Sequence, residues 1–382
     1  MQSKSAGNLI NSNQITSNHQ LNKSKKHNSV KSNHSTYQSD SLTRHFPSSS
    51  TIESLKQFGI PLSSCQDCQL GHDSASVPFN LDGYPENFSI DTKTPLLGHI
   101  KPFDLLILCS SGKTDWPHDV CKDPLSIPGQ LRKLYPKLPN STKLSIPGIF
   151  PLPKHLQNNQ INNSKNLQSL DSDQSLQQNL NLAILSSSHF STSNNDQSHS
   201  LIILPDWVRI TEVTLNNLPN FKENLQSSQT NQKQIQGNSK KSKLPYQVII
   251  LICSHKTRDK RCSISAGVLE EEMIQSIESN LEDWKVDCRG DYDLNHIDDD
   301  ENWAGIFKVS HTGGHKFAGN MIINFPFGTS IWYGRVTKAD CKRIVQETII
   351  SKNVIPELLK GGVGLNQLKN LPSCSQKNSL NW

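Results

Sequence analysis

Aromatic residues make up only 6% of this 382-residue chain, and hydrophobic residues of all kinds only 34%. Asn, Gln and Ser fill long tracts instead, so roughly two thirds of the chain can bury a core, less than the two or three domains that its length allows. No apolar run reaches the length of a membrane-spanning helix, and none near Met1 has the make-up of a secretory signal. The formal charge of +5 is small for the length and falls partly in the N-terminal tail. No concentrated basic face results, so a nucleic-acid partner is not implied. Acidic residues are missing altogether from residues 1–39, where Lys4, Lys23, Lys25, Lys26 and Lys31 stand among Ser, Asn and His. Transit peptides share that bias, but arginine is absent before Arg44 and the sparse apolar residues lack helical spacing. A disordered polar tail is therefore expected over residues 1–50. The cytoplasm is the expected compartment, with the mitochondrion as the alternative.

Two enzymatic motifs fail on single positions. SSGKT follows the apolar run DLLIL, but a phosphate loop would need glycine at position 107, which is Ile107, and Trp116 and Pro117 stop any following helix. A cysteine phosphatase loop would need arginine where Asp259 stands. No nucleophile, base and oxyanion set can be assembled, and no catalytic residue is assigned.

What the chain does have is nine cysteines, an odd number without a secretory context, which points to a reducing compartment and to thiols as ligands or redox groups. Cys65 and Cys68 form CQDC in polar surroundings with no strand before them, so they read as accessory thiols. Cys109, Cys121, Cys288 and Cys341 lie in or beside patterned segments and read as core thiols.

The pattern divides the chain. Residues 51–222 form an N-terminal α/β half whose buried strands LLILC and LIIL belong to one sheet, interrupted by a low-complexity insert at about 155–200. A polar linker covers 223–243, a C-terminal domain 244–366, and a tail 367–382. In the C-terminal domain YQVIILIC reads as a buried strand and SAGVLEEEMIQSIESNL as a helix with Ser265 as its N-cap. WKVDCRG, GIFKVSH, GNMIINF and SIWYGRV follow as strands, and KADCKRIVQETII and VIPELLKGG as helices, the last ending on a glycine cap. This order predicts an α/β fold, an open mixed sheet with helices packed on it, thioredoxin-like in outline.

Two short loops then gather donors. Cys253 ends a strand and Cys262 precedes a helix in CSHKTRDKRC, over the carboxyl edge where open α/β sheets place their sites. His311 and His315 stand in HTGGH, where Gly313 and Gly314 oppose a helix, each costing about 1 kcal/mol against alanine. Positive φ at the glycines lets both imidazoles face one ion. Two thiolates with two imidazoles suit zinc or a [2Fe–2S] cluster of Rieske-type ligation. The CX8C span is wide for one zinc. His255 is an alternative ligand, better read as a donor behind the ligands. Lys256, Arg258, Lys260 and Arg261 crowd the same loop, where they would either dock an acidic redox partner or stand solvated.

CSHKTRDKRC, SHTGGHKFAGN and IWYGRVT, in that order and with TDWPHDVCKDP and LIILPDW upstream, resemble the sucrase/ferredoxin-like family over roughly residues 60–382 without the polar inserts. The resemblance implies a thioredoxin-like ferredoxin domain at 244–366 in which Cys253, Cys262, His311 and His315 hold a [2Fe–2S] cluster, zinc being the alternative metal. It implies a non-enzymatic electron carrier or redox sensor with an unknown redox partner. Through fungal members it also implies a link to cortical actin patches and tolerance of oxidative stress. An interaction protein stabilised by cluster or zinc is the competing class. The terminal Trp382 resembles the tail by which some cytosolic iron–sulfur proteins meet the machinery that loads their clusters, although Asn381 departs from the usual middle residue.

Overall fold

Short apolar runs bounded by turn residues become strands buried on both faces, because a parallel strand inside a covered sheet has no solvent side. The computed structural model describes residues 43–64, 77–137, 144–153, 156–157, 181–193, 197–221, 239–292 and 301–371. They all belong to one compact unit, Ser41–Trp382. Near its start β1 (Thr43–Arg44) pairs with β2 (Val77–Pro78), and Ser48 caps the helix α1 (Ser49–Gln57).

Among the described residues twelve strands form one mixed sheet. They are β3 (Leu105–Ser110), β4 (Ile149–Phe150), β5 (Leu182–Ser187), β6 (His199–Leu204), β7 (Val208–Val213), β8 (Lys240–Lys243), β9 (Tyr246–Cys253), β10 (Trp284–Asp287), β11 (Asn302–Val309), β12 (Met321–Asn324), β13 (Ser330–Tyr333) and β14 (Leu359–Val363). Their spatial order is β4-β14-β13-β12-β9-β11-β5-β3-β6-β7-β8, with β10 also on β11. The helix α2 (Ile127–Leu134) lies between β3 and β5 in sequence, α3 (Lys260–Asn280) between β9 and β10, and α4 (Lys338–Arg343) runs on as a wider π turn through Ile350.

The sheet uses one arrangement twice. β3 runs parallel to β5 and antiparallel to β6, which turns back as β7. β9 runs parallel to β11 and antiparallel to β12, which turns back as β13. The two sets meet where β5 and β11 pair antiparallel at Ser187 and Val309. A Cys-Ser pair stands at the end of both first strands, Cys109-Ser110 closing β3 and Cys253-Ser254 straddling the end of β9. Both second strands are followed by Ser-His, at Ser188-His189 and Ser310-His311.

Alternation along β9 sorts the core. Val248, Ile250 and Ile252 pack with Ala266, Leu269, Met273 and Ile277 of α3 on one face. Ile249 and Leu251 turn to the other, joining Leu106 and Leu108 of β3 and Phe307 and Val309 of β11, and Tyr246 joins them across the register shift at the start of β9. Each such aliphatic side chain contributes about 1.5–3 kcal/mol by leaving water.

Three expectations change. α3 begins at Lys260 with Asp259 as its N-cap, accepting from the Arg261 N–H, so the cap is not Ser265 and Cys262 sits inside the first turn. VIPELLKGG is not a helix. Pro356–Leu358 makes one 3-10 turn and Leu359–Val363 is the strand β14, whose glycines allow the close approach of Gly148 and Ser330 backbone that a helix would not need. Finally, β5 lies inside the stretch read as a polar insert. Its LAILSS core is buried between β3 and β11, and pairing on both edges outweighs the polar composition around it.

Candidate metal centre

Cys253 closes β9, with its N–H donating to the Asn320 carbonyl at 3.1 Å, and Cys262 enters from the first turn of α3; both are 1% exposed. The ligand atoms of Cys253, Cys262 and His311 all lie within 4.8 Å of one another, and no other such group occurs among the described residues. His311 stands two residues beyond β11. The chain then turns through Gly313 (φ 91°) and Gly314 (φ 69°) into a single 3-10 turn at His315–Phe317, bringing the two imidazole centroids to 5.4 Å. His315 is the open side of the site, its side chain 43% exposed with Nε2 3.9 Å from an Asp259 carboxylate oxygen.

The two thiols are hydrogen-bonded to each other. A hydrogen bond from the Cys262 thiol holds Cys253 well below the usual thiol range, and bonds from His311 and the Thr312 amide add to it. Cys262 is correspondingly pushed up, first by that same bond and then by burial. Burial lowers His315, with the Asp259 carboxylate acting in the opposite sense. Asp259 is itself held below the usual carboxylate range, chiefly by hydrogen bonding from Arg261. The arrangement therefore offers two thiols, one at a strand end and one at a helix N-terminus, where thiolate is favoured, and two imidazoles.

The donor set fits a metal. Nδ1 of His311 and Nδ1 of His315 are both buried and without a hydrogen-bond partner, although buried polar nitrogens almost always have one. A lone pair aimed at a metal satisfies such an atom.

His255 is placed behind the ligands. Its Nδ1 accepts from the His311 N–H at 3.1 Å, so Nε2 carries the proton and donates to the Trp116 carbonyl at 2.7 Å. Ser254 Oγ donates to Thr114 O at 2.7 Å, and Thr257 bonds both oxygens of Asp115 at 2.7 and 2.9 Å. A loop after β3 thus clamps the cysteine loop after β9. Of the basic residues in that loop, Arg261 pairs with Asp259 at 2.7 Å, Arg258 lies against the His118 ring, and Lys256 and Lys260 are exposed.

The sequence reading passed over Asn320 and Lys360. Both are buried beside the two-glycine turn, and neither belongs to a motif; a buried polar residue next to a metal loop has no spacing signal. Cys109 and Cys341 are buried and Cys121 and Cys288 partly so, and burial pushes each of these thiols up. Cys65, Cys68 and Trp382 lie outside the described residues.

Fold and site together define an α/β protein with a large mixed sheet and a candidate Cys/His metal centre at its carboxyl edge. The chain belongs to the sucrase/ferredoxin-like family, whose sequence profile matches residues 96–361. It is 28% identical over 278 residues to actin patches distal protein 1 of Saccharomyces cerevisiae, covering 68% of this chain and 73% of that one. It is 39% identical over 118 residues to altered inheritance of mitochondria protein 32 of Debaryomyces hansenii, covering 30% of this chain and 36% of the relative. The namesake in Clavispora lusitaniae is 34% identical over 113 residues, 30% of this chain and 34% of the relative. The match to these last two spans only about a third of their length. No solved structure matches the chain. Among the described residues no helix is long and apolar enough to cross a membrane.

Proposed function

We propose that Cys253, Cys262, His311 and His315 hold a [2Fe–2S] cluster and that the protein is a one-electron carrier or redox sensor rather than an enzyme. The observation that carries the reading is the convergence of three ligand atoms within 4.8 Å beside two buried imidazole nitrogens that lack any other partner. Bound, the cluster supplies reversible one-electron exchange. The chain's own residues do the rest. Neutral imidazoles in place of two thiolates leave the site less negative, and ligation of this type raises potentials to about −150 to +300 mV against about −400 mV for all-cysteine plant-type clusters. The Thr312 amide donates to the Cys253 sulfur, a contact of the kind that also raises the potential. His315, half-exposed and facing Asp259, is the place where a proton can enter or leave as the charge changes.

The thioredoxin-like reading of residues 244–366 rests on the parallel pair β9 and β11 with α3 between them and the β12–β13 hairpin alongside. The name of the Saccharomyces relative supports a role connected with actin patches, the names of the shorter matches refer to mitochondria instead, and the fungal resemblance adds tolerance of oxidative stress. The cytoplasm is the proposed compartment, with the mitochondrion as the alternative. Zinc is the second reading, favoured by one observation: ligand atoms this close also suit a single tetrahedral ion, with the metal as a folding element for an interaction protein.

Anaerobic purification of the full chain followed by iron analysis, visible absorption and electron-spin resonance after reduction separates the two. Iron, colour and a reduced-state signal are expected. A colourless protein with zinc and no iron overturns the cluster. In the iron form the midpoint potential should fall as pH rises from about 6 to 9, around the range where ligated imidazoles lose protons, and His315→Cys should lower the potential and flatten that slope.

A further inference from the structure

A positive charge lies behind the ligand set with no acid to match it. Lys360, the second residue of β14, is 0% exposed. Burying an ammonium costs several kcal/mol unless a counter-charge is close. Among the described residues no carboxylate pairs with it. Its Nζ donates to two neutral oxygens, the Gly313 carbonyl at 2.7 Å and Asn320 Oδ1 at 2.8 Å, and stands 5.9 Å from the centre of the Trp332 ring. Asn320 completes the link: its Nδ2 donates to the Gly314 carbonyl at 3.1 Å and its own carbonyl accepts the Cys253 N–H. Both glycine carbonyls of the turn between the histidines are thereby tied, one to the lysine and one to the asparagine. Burial pulls Lys360 down to about 8, and the groups that act in the opposite sense are Cys253 and Cys262, whose negative charge favours its ammonium form.

We propose that Lys360 is the positioning residue of the metal centre: its ammonium fixes the turn that presents His311 and His315 and is the buried counter-charge of the reduced cluster. This rests on the [2Fe–2S] reading above. With two ferric ions, two sulfides, two thiolates and two neutral imidazoles the oxidised group is neutral, and one added electron leaves it singly negative. A fixed positive charge at short range therefore favours the reduced state over the oxidised one, whereas a lysine serving only as filler would leave the balance unchanged.

The test compares the full chain with Lys360→Met, Lys360→Gln and Lys360→Arg, purified anaerobically, by iron content, visible absorption and redox titration at about pH 6.5, where a lysine of this kind is charged. In the Met and Gln variants the reduction equilibrium should move about tenfold toward the oxidised form, equal to ~59 mV for one electron, and Arg should stay near the parent. If Met fails to load, Gln decides, since it keeps a donor for Gly313 without the charge. Loading by Arg but by neither neutral variant supports the proposal. Loaded neutral variants at the parent's potential overturn it, as does equal loss of iron from all three, which would mean that only packing is served. A parent without iron removes the cluster reading itself, a result separate from an unshifted potential in loaded variants.

Discussion

Glycine at position 314 does work that no other residue type can do. Its φ of 69° is a left-handed conformation, and a Cβ built there would lie 2.9 Å from Lys360 Nζ and 3.2 Å from the Phe317 ring. At Gly313 the conformation is left-handed too, but the space around its Cβ is open. Gly313→Ala should therefore cost only the conformational strain, about 1–2 kcal/mol, and keep most of its metal. Gly314→Ala should displace the ammonium from the Gly313 carbonyl and lose most of it. Metal content after matched purification, with urea melts for stability, checks the pair; equal metal loss in both variants would contradict the contact argument.

Among the elements, α3 joins core to site. Met273 and Leu269, fully buried against β9, hold it to the sheet, while Asp259 caps its start and faces His315. Met273→Ala should cost about 2–5 kcal/mol in urea unfolding with metal stoichiometry unchanged in the folded fraction. Asp259→Ala should cost about 1 kcal/mol of cap stability and also raise the exchange rate of bound metal, a second effect that no cap elsewhere would show. The sequence disclosed these elements unevenly. The C-terminal strands were legible because parallel strands covered on both faces are continuous apolar runs, and the ligands because cysteines at a strand end and a histidine pair with two glycines leave few other readings. β5 was hidden because LAIL sits in a tract of Asn, Gln and Ser, where composition masks four residues of pattern. β14 was misread because LLKGG matches a helix ending on a glycine cap. With it went Lys360, a charge that looks like surface until the strand around it is known to be interior.

At the scale of the whole molecule, the seam between β5 and β11 carries a buried histidine as well as a strand pair. His189 is 0% exposed, bonds Ser200 O through Nε2 at 3.2 Å and leans on the Phe307 ring with centroids 5.8 Å apart. Burial, helped by Arg209, pulls it down to about 3. A folded-state value below the unfolded one means that the unfolded chain binds the proton first. The contribution is therefore complete above about pH 6.5 and is lost as pH falls toward 3, at about 1.4 kcal/mol per unit. Between pH 7 and 5 the full chain should lose about 2 kcal/mol through this group. Urea melts at both values, compared with His189→Gln, check it: the variant should be less stable at pH 7 yet show a flatter dependence.

The strand order repeats on the two sides of that seam, where Ser187 pairs with Val309, so the molecule reads as two like sets of strands written as one chain. In a true dimer of identical subunits both copies would have to keep their ligands. Here the two sets differ, and among the described residues only the second brings converging donors together. The first lends its loop at Thr114–Trp116 as a brace for the cysteines of the second. Substitutions near Cys109 should therefore be felt at Cys253, across a boundary that chain position alone would not reveal.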